Sequence, residues 1–297
     1  MQKEKIFFLI GPTAVGKTET AVYLAQKLNA EIISCDSMQI YKGMDIITSK
    51  PSKTLRRKIP HHLIDVLSTA KEYNVSKYRK DAVKIIKDIF SRRKIPLFVG
   101  GTGLYMSVLI DGIFETKAQD KNLREKLYKQ SQLNANDYLY NRLKKVDPEA
   151  AVKIHPNDTK RIIRALEVFE ITGKPISELQ RLKKGLSENY DIVIFGLNMD
   201  REKLYIKIDE RVDKMFRKGM VCEVKKLLKS KLSKTASCAI GIKELKGYLD
   251  GMYDLAAAKR LIKRNTRNYA KRQLTWFRKD KRIKWIEAGK DVWKELY

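Results

Sequence analysis

The residues best suited to chemistry begin near the amino terminus, in Gly11–Thr18, whose sequence is GPTAVGKT. This stretch matches the phosphate-binding pattern G-x-x-x-x-G-K-[ST] and lies between a short apolar run, Ile6–Ile10, and a helical repeat of apolar residues. Glycines let the backbone curl around a phosphate, Lys17 adds a mobile charge, and the Thr18 hydroxyl can hold Mg²⁺. A plain glycine-rich turn is the alternative, which the flanks, the spacing and the Lys-Thr pair disfavour. We predict a di- or triphosphate site formed by Gly11, Pro12, Thr13, Ala14, Val15, Gly16, Lys17 and Thr18.

Asp36 is the first candidate for acid–base chemistry. It follows a second buried strand, Glu31–Cys35, and begins the polar loop Asp36–Gly43. Ligands of open α/β sheets bind outside the carboxyl ends of the strands, so Asp36 and the phosphate loop are expected at the same edge. Asp36 is then a metal ligand or a general base acting on an acceptor, and an aspartate that merely caps its loop is an equally good interpretation.

Two further segments are weaker candidates. The sequence GGTG at 100–103 follows a third buried strand; its glycines would admit a ligand and Thr102 could hydrogen bond to it, although an ordinary turn is the better interpretation from these residues alone. Arg211 lies between Ile208 and Val212 on the apolar side of a predicted helix, with three acids nearby. From the sequence we favour a structural ion pair for Arg211 over a clamp on a leaving phosphate.

Two stretches are strongly basic. A helix predicted to begin near Thr159 has an apolar face and, on the opposite side, three cations that precede its first acid, Glu167. These cations are Lys160, Arg161 and Arg164. A solvated face is the simple interpretation, but the charge pattern favours contact with phosphates. The segment 259–284 has twelve Lys or Arg against one acid, with three aromatic residues among them, as in surfaces that bind nucleic acid.

These residues need a scaffold that brings them together. Four buried strands are predicted, at 6–10, 31–35, 95–100 and 191–196. Helices alternate with them, which is typical of a parallel sheet, whereas 116–190 is predicted to be helical and 48–62 a mobile connection. The expected fold is α/β, a P-loop NTPase-like parallel sheet flanked by helices. Its core would comprise 1–115 and 191–297, with 116–190 as an all-helical insertion domain.

Composition limits the partners. The 297 residues include 63 Lys or Arg and 35 Asp or Glu, a formal net charge of +28, which indicates RNA or DNA. A membrane partner is not expected, because the charge is spread along the chain and no apolar run approaches a bilayer's thickness. Three widely spaced cysteines, Cys35, Cys222 and Cys238, predict neither a zinc site nor a disulfide framework and favour a cytoplasmic protein.

Eight stretches, in chain order, resemble the bacterial form of the tRNA isopentenyltransferase family, the tRNA dimethylallyltransferases. They are GPTAVGKT (11–18), SCDSMQIYKGMDI (34–46), HHLID (61–65), PLFVGGTGLY (96–105), HPNDTKRIIRALEVFEITGKP (155–175), RVDKMFRKGM (211–220), AIGIKEL (239–245) and RNYAKRQLTWFRK (267–279). Each is modest alone, but eight in order over nearly the whole chain are specific. The chain lacks the cysteines of the zinc finger that eukaryotic members contain.

The resemblance implies transfer of a dimethylallyl group from dimethylallyl diphosphate to N6 of adenine 37, beside the anticodon of tRNA. Gly11–Thr18 would hold the diphosphate instead of ATP, with Mg²⁺ on Thr18. Asp36 would be the general base, Thr102 would lie near the reacting centre, and Arg211 would clamp the diphosphate. The residues expected to contact the anticodon stem-loop are Asp36, Ser37, Met38, Gln39, Thr102, Arg124, Lys160, Arg161, Ile162, Ile163 and Arg164. We expect a monomer.

Two other functions remain compatible with the sequence. A P-loop kinase or nucleic-acid-stimulated ATPase would turn over ATP, and a non-catalytic RNA-binding protein with a relic phosphate loop would turn over nothing. Prenylation of tRNA from dimethylallyl diphosphate distinguishes the dimethylallyl transferase from both of these alternatives.

Overall fold

A six-stranded, all-parallel sheet forms the centre of the protein, in the order β3-β2-β4-β1-β5-β6. The structure, a computed structural model, describes residues 3–114, 120–133, 137–290 and 294. The strands are β1 (Lys5–Ile10), β2 (Ala30–Cys35), β3 (His61–His62), β4 (Ile95–Gly100), β5 (Asp191–Asn198) and β6 (Ile283–Glu287). The P-loop-like α/β sheet expected from the sequence is confirmed.

The chain divides into two compact units, Met1–Ile110 with Asn189–Tyr297, and Asp111–Glu188. The boundary predicted between residues 115 and 116 lies outside the described residues. The first unit contains the sheet and eight helices among its described residues. They are α1 (Lys17–Leu28), α2 (Lys53–Lys58), α3 (Val75–Ser91), α4 (Gly103–Asp111), α10 (Arg201–Arg217), α11 (Met220–Leu228), α12 (Ile242–Leu249) and α13 (Leu255–Phe277).

The sheet forms because its central strands are apolar on both faces. Every residue of β1 after Lys5 and every residue of β2 is buried, as expected for parallel strands covered by helices on both sides. On one face, α1, α10 and α13 contribute residues such as Leu24, Ile208 and Ala270 to a common core with Leu9 and Phe195. Removal of this apolar surface from water is the main force that holds the helices on the sheet.

The register of the strands aligns the loops that matter. Ile10 is opposite Gly100 on one side and Gly196 on the other, and Cys35 is opposite Gly100. The last residues of β1, β2 and β4 are therefore neighbours, and the segments that follow these strands leave the sheet at one edge. These segments are the ones that contain the phosphate loop, Asp36 and Thr102.

The second unit is helical throughout its described residues. Its helices are α5 (Lys121–Leu133), α6 (Tyr138–Val146), α7 (Pro148–Lys153), α8 (Thr159–Thr172) and α9 (Ile176–Arg181). Asp147 and Asp158 cap α7 and α8 by accepting backbone N–H groups, and Gly173 ends α8 in the left-handed conformation. The unit has its own core, in which Leu143, Leu166 and Val168 are fully buried.

Two short edge strands and one helix differ from the sequence prediction. Residues 48–62, expected to be a mobile connection, contain α2, capped by Ser52, and the two-residue strand β3 beside β2. β6 begins at the end of the basic segment and pairs with β5, and its two buried residues, Ile283 and Ile286, are three apart and give no alternating strand pattern. No helix of the described residues is long and apolar enough to cross a membrane.

Candidate active site

The phosphate loop joins β1 to α1 through backbone conformations that favour glycine. Gly11 has φ +148°, and a Cβ there would lie 2.7 Å from the carbonyl oxygen of Leu197, too close for any side chain. Gly16 has φ +100° and precedes α1 without a side-chain cap. No capping side chain therefore competes for the first-turn N–H groups of α1. These groups and the positive end of the helix dipole are available to an anion held in the loop.

Lys17 folds back over the loop. Its Nζ donates to the carbonyl oxygens of Gly11 (2.9 Å) and Pro12 (2.6 Å). Burial lowers the pKa of Lys17 to about 7, and the charge of Arg211 adds to this effect, while the Asp36 carboxylate opposes it. Lys17, Arg211 and Asp36 are thus within electrostatic reach of one another although they come from three separate parts of the chain.

Arg211 comes from α10 and lies in the same site. Burial lowers its pKa, against the opposing charges of Asp36 and Glu19. Two acids near it in sequence have other partners: Asp213 pairs with Lys259 and Lys263, and Asp209 pairs with Arg267, all on α13. Asp209 and Asp213 are therefore engaged with α13, and the role of Arg211 as a clamp on the diphosphate stays a prediction.

Asp36 and Thr102 both accept hydrogen bonds from the backbone of the loop that follows β2. Asp36 Oδ1 accepts the N–H groups of Met38 (2.8 Å) and Gln39 (3.4 Å), so the loop-capping role is present. Thr102 Oγ1 accepts the N–H of Ser37 at 3.1 Å, and its own N–H donates to the Cys35 carbonyl at 3.1 Å. Because both N–H groups bind the same carboxylate oxygen, Oδ1, the loop-capping and general-base interpretations of Asp36 are compatible.

The three loop residues expected to contact RNA, Ser37, Met38 and Gln39, are all half-buried at this edge. Gln39 Oε1 accepts the hydroxyl of Ser34. The loop is further held from α11, because the Glu223 carboxylate accepts the N–H groups of Asp45, Ile46 and Ile47 at 2.8 to 3.1 Å. The segment after Asp36 is therefore a supported loop rather than a free one.

Sequence reasoning missed two residues of the site, both on α13. The Tyr269 side chain hydrogen bonds with Thr102, and burial together with the Asp36 charge raises the pKa of the Tyr269 hydroxyl. Gln273, one turn later, accepts the N–H of Thr13 and donates to the carbonyl of Gly101. Their spacing of i, i+4, which places both on one face of the helix, was the available signal.

The glycines of the 100–103 stretch make room for neighbouring protein segments, which agrees with the ordinary turn that these residues alone favoured. A Cβ at Gly100 would lie 2.0 Å from the Cys35 carbonyl oxygen, one at Gly101 would lie 2.0 Å from Gln273 Nε2, and one at Gly103 would lie 2.2 Å from the Trp276 ring. Glycine is needed because β2 and α13 approach the turn this closely.

The helical unit contains the remaining residues predicted to contact RNA, and these residues differ in burial and in ion pairing. Ile162 and Ile163 are only 2% and 1% exposed and their side chains belong to the core of the unit, as the apolar face of the helix predicts, while their contact with RNA stays a prediction. Arg124 and Arg164 both bind the fully buried Glu167, at 2.7 and 2.8 Å. Lys160 and Arg161 are exposed at the amino end of α8.

A magnesium ion would find hard oxygen ligands here. Thr18 is in the first turn of α1, beside Lys17, and the Asp36 charge acts on the same lysine. Among the described residues no group of three or more His, Cys, Asp or Glu side chains could hold a metal. This donor set fits Mg²⁺, which characteristically keeps water and substrate phosphates as ligands and needs few from the protein.

Comparisons with known proteins agree with one another. A family model described as IPP transferase matches residues 39–280, and one described as isopentenyl transferase matches residues 4–60. The tRNA dimethylallyltransferase of Carboxydothermus hydrogenoformans is 50% identical over 97% of this chain and 93% of its own length. That of Halothermothrix orenii is 47% identical over 98% and 90%.

Solved structures give the same result. The tRNA isopentenylpyrophosphate transferase of Bacillus halodurans aligns with a TM-score of 0.73 and 40% identity, over 99% of this chain and 93% of its own. A eukaryotic dimethylallyltransferase, described in the act of modifying tRNA, aligns with a TM-score of 0.82 and 34% identity, over 96% of this chain and 74% of its own.

Proposed function

The chain belongs to the IPP transferase family, and from this premise we propose that it transfers a dimethylallyl group from dimethylallyl diphosphate to N6 of adenosine 37 in tRNA. Pyrophosphate is the second product. The observation that supports this most strongly is the meeting of Lys17, Arg211 and Asp36 at the carboxyl edge of the sheet. Two cations suit a departing diphosphate, and a carboxylate suits an amine that must lose a proton.

The phosphate loop binds the diphosphate and stabilises its departure. As the bond between the dimethylallyl carbon and the diphosphate oxygen breaks, negative charge grows on pyrophosphate. The N–H groups at the start of α1, Lys17 and Arg211 are fixed around that charge, and preorganised donors in a partly buried site need little rearrangement during the reaction. The backbone of residues Gly11 to Gly16 forms the cradle for the phosphates, and its glycines keep bulky side chains out of that space.

Asp36 acts on the acceptor. The N6 amine of adenine is a poor nucleophile, because its lone pair is delocalised into the ring. Asp36 Oδ1 holds the loop, so Oδ2 is the oxygen that accepts the N6 proton as the new carbon–nitrogen bond forms. Thr102, held by Ser37, positions the adenine beside the carboxylate.

Magnesium is the proposed cofactor, held by the Thr18 hydroxyl together with the oxygens of the diphosphate. When bound, the ion neutralises part of the charge on the leaving group. The protein's own contribution at this position is the orientation of Thr18 at the start of α1.

The anticodon stem-loop of tRNA is the proposed macromolecular substrate. Adenosine 37 must leave its stack to reach Asp36, as for other enzymes that act on a base. Ser37, Met38 and Gln39 line the approach to Asp36 and Thr102, and the exposed Lys160 and Arg161, with Arg124 and Arg164 beside Glu167, contact phosphates. We propose that the enzyme acts as a monomer in the cytoplasm.

The decisive experiment incubates the full chain with Mg²⁺, dimethylallyl diphosphate and a tRNA mixture, followed by mass spectrometry of the nucleosides. We expect N6-dimethylallyladenosine from tRNAs with adenosine at position 37 and none from tRNAs with guanosine there. Hydrolysis of ATP without prenylation would instead support a kinase or ATPase, and the absence of both activities would support a purely RNA-binding protein.

A further inference from the structure

Gln273 joins three segments that are far apart in the chain. Its Oε1 accepts the N–H of Thr13 in the phosphate loop at 2.9 Å, and its Nε2 donates to the carbonyl oxygen of Gly101 after β4, also at 2.9 Å. The residue is 6% exposed and comes from the carboxyl-terminal part of α13. One buried carboxamide therefore accepts a hydrogen bond from the phosphate loop and donates one to the turn that precedes Thr102.

We propose that Gln273 is a positioning residue that sets the distance between the phosphate loop and the Thr102 turn, and so aligns the diphosphate with the acceptor amine. The inference deepens the proposed function and relies on it only for the identity of the donor. Gln273 touches neither substrate in this assignment. It acts through Thr13 and Gly101.

The chemistry of the side chain supports this role. A glutamine is uncharged, and it offers one donor end and one acceptor end, which are the two groups that a loop N–H and a turn carbonyl require. Because the Thr13 N–H donates to Gln273, it is already paired within the protein, and the ligand is left to the other N–H groups of the loop. Removal of either end would leave a buried backbone group without its partner, which is costly.

The neighbours of Gln273 on α13 reinforce the same two loops. Tyr269, four residues earlier, hydrogen bonds with Thr102, and the Trp276 ring, three residues later, lies where a side chain at Gly103 would be. These three residues form one face of the helix. The turn after β4 is therefore held along its length by α13, and Gln273 is the point at which the phosphate loop joins that contact.

The test uses two substitutions of the same size with different chemistry. Gln273→Glu keeps an acceptor for the Thr13 N–H but opposes the Gly101 carbonyl with a second acceptor, and Gln273→Met keeps the volume without either bond. For both we expect a rise of about tenfold or more in the KM for dimethylallyl diphosphate and a similar loss of pyrophosphate affinity by calorimetry, the scale of one lost buried hydrogen bond. Binding of tRNA should change less than about twofold, because its contacts are elsewhere.

Gln26→Glu on the exposed side of α1 is the matched control, since it makes the same change of charge away from the site. It should leave the KM and pyrophosphate affinity unchanged. Folded Gln273 variants with wild-type KM and wild-type pyrophosphate affinity would overturn the proposal and assign the residue to packing alone, while prenylation by the wild type would still stand. Because pyrophosphate binding is measured without turnover, the proposal is also tested if the wild type proves unable to prenylate tRNA.

A double substitution separates space from hydrogen bonding. A Cβ at Gly101 would lie 2.0 Å from Gln273 Nε2, so Gly101→Ala should expel the carboxamide and raise the KM. Gly101→Ala combined with Gln273→Ala restores room without restoring either bond. We expect the double variant to match Gln273→Ala alone, and recovery to the wild-type KM would show that only shape matters.

Discussion

At the scale of single residues, the site is built on an imbalance of charge. Burial lowers the pKa of both Lys17 and Arg211, the charge of Arg211 lowers that of Lys17 further, and the Asp36 charge opposes each shift. Like charges held together in a desolvated site favour any anion that enters between them. In the proposed reaction a diphosphate would supply that anion, and its charge would raise the pKa of Lys17 on binding.

Asp36 gives the sharpest prediction at this scale. Asp36→Asn keeps an oxygen that can accept the Met38 N–H and so preserves the loop, but it removes the base; Asp36→Ala removes both. We expect each to lower kcat by about 10²-fold or more, the usual contribution of a positioned base. Steady-state prenylation at saturating substrates measures kcat, and filter binding of tRNA should change little. Near-normal turnover by Asp36→Asn would limit Asp36 to the support of its loop.

The cysteines give a second residue-scale prediction. Burial raises the pKa of the Cys35 thiol to about 12, whereas Cys222 and Cys238 are exposed. Because the thiolate is the reactive form, iodoacetamide at pH 8 should alkylate Cys222 and Cys238 and leave Cys35 unmodified until the protein unfolds. Peptide mass spectrometry with and without denaturant checks this, and early modification of Cys35 would contradict its burial beneath the site.

At the scale of elements, several charged side chains on the helices form ion pairs within the protein. Lys259, Lys263 and Arg267 of α13 bind Asp213 and Asp209 of α10, so part of the apparent cationic surface holds two helices together. In the helical unit, Glu167 of α8 similarly binds Arg124 of α5 and Arg164. These pairs fix the helices, and they also fix the direction in which the arginines point.

Glu167 allows a stability prediction. Its two arginine partners keep its pKa below the ordinary value although burial alone would raise it. Glu167→Gln leaves two arginines without a buried counter-ion and should lower the free energy of unfolding by about 3 kcal/mol. Glu149→Gln, whose ion pairs with Lys153 and Arg181 are exposed, should cost less than about 1 kcal/mol.

Urea unfolding followed by circular dichroism compares the two variants at pH 7. Because the folded pKa of Glu167 is lowered, its contribution is present above the unfolded pKa and is lost as the pH falls through the folded one. The difference between wild type and Glu167→Gln should therefore shrink in acid. Equal costs for the two substitutions would mean that Glu167 is not a buried anchor.

At the scale of the whole molecule, the net charge of +28 is the property that a polyanion senses first. A long-range field attracts tRNA and depends strongly on salt, whereas selection of one adenine needs the short-range geometry at the sheet edge. Affinity and selection therefore reside in different parts of the chain, and substitutions can separate them.

Salt dependence is the measurement for this scale. Lys160→Ala and Arg161→Ala should each reduce the slope of log affinity for tRNA against log salt by about one unit, because each removes one phosphate contact. Lys27→Ala is the control, since Lys27 is in the last turn of α1, toward the opposite edge of the sheet. Prenylation at saturating tRNA should stay unchanged in all three. An unchanged slope for Lys160→Ala and Arg161→Ala would mean that α8 presents only a solvated face.

The sequence by itself determined what local patterns encode. The phosphate loop, the four longest strands and the helical character of the second unit follow from spacing, apolar runs and caps within single segments. The short strands β3 and β6 were not predictable, because β3 has only two residues and the buried positions of β6 do not alternate. The tertiary structure alone decided which groups meet. Lys17, Asp36, Arg211 and Gln273 come together because parallel pairing aligns strand ends that are distant in sequence and α13 packs across them. A helix period tells which residues are inside, as it did for Ile162, but not which partner each one finds there, as Gln273 shows by joining Thr13 to Gly101.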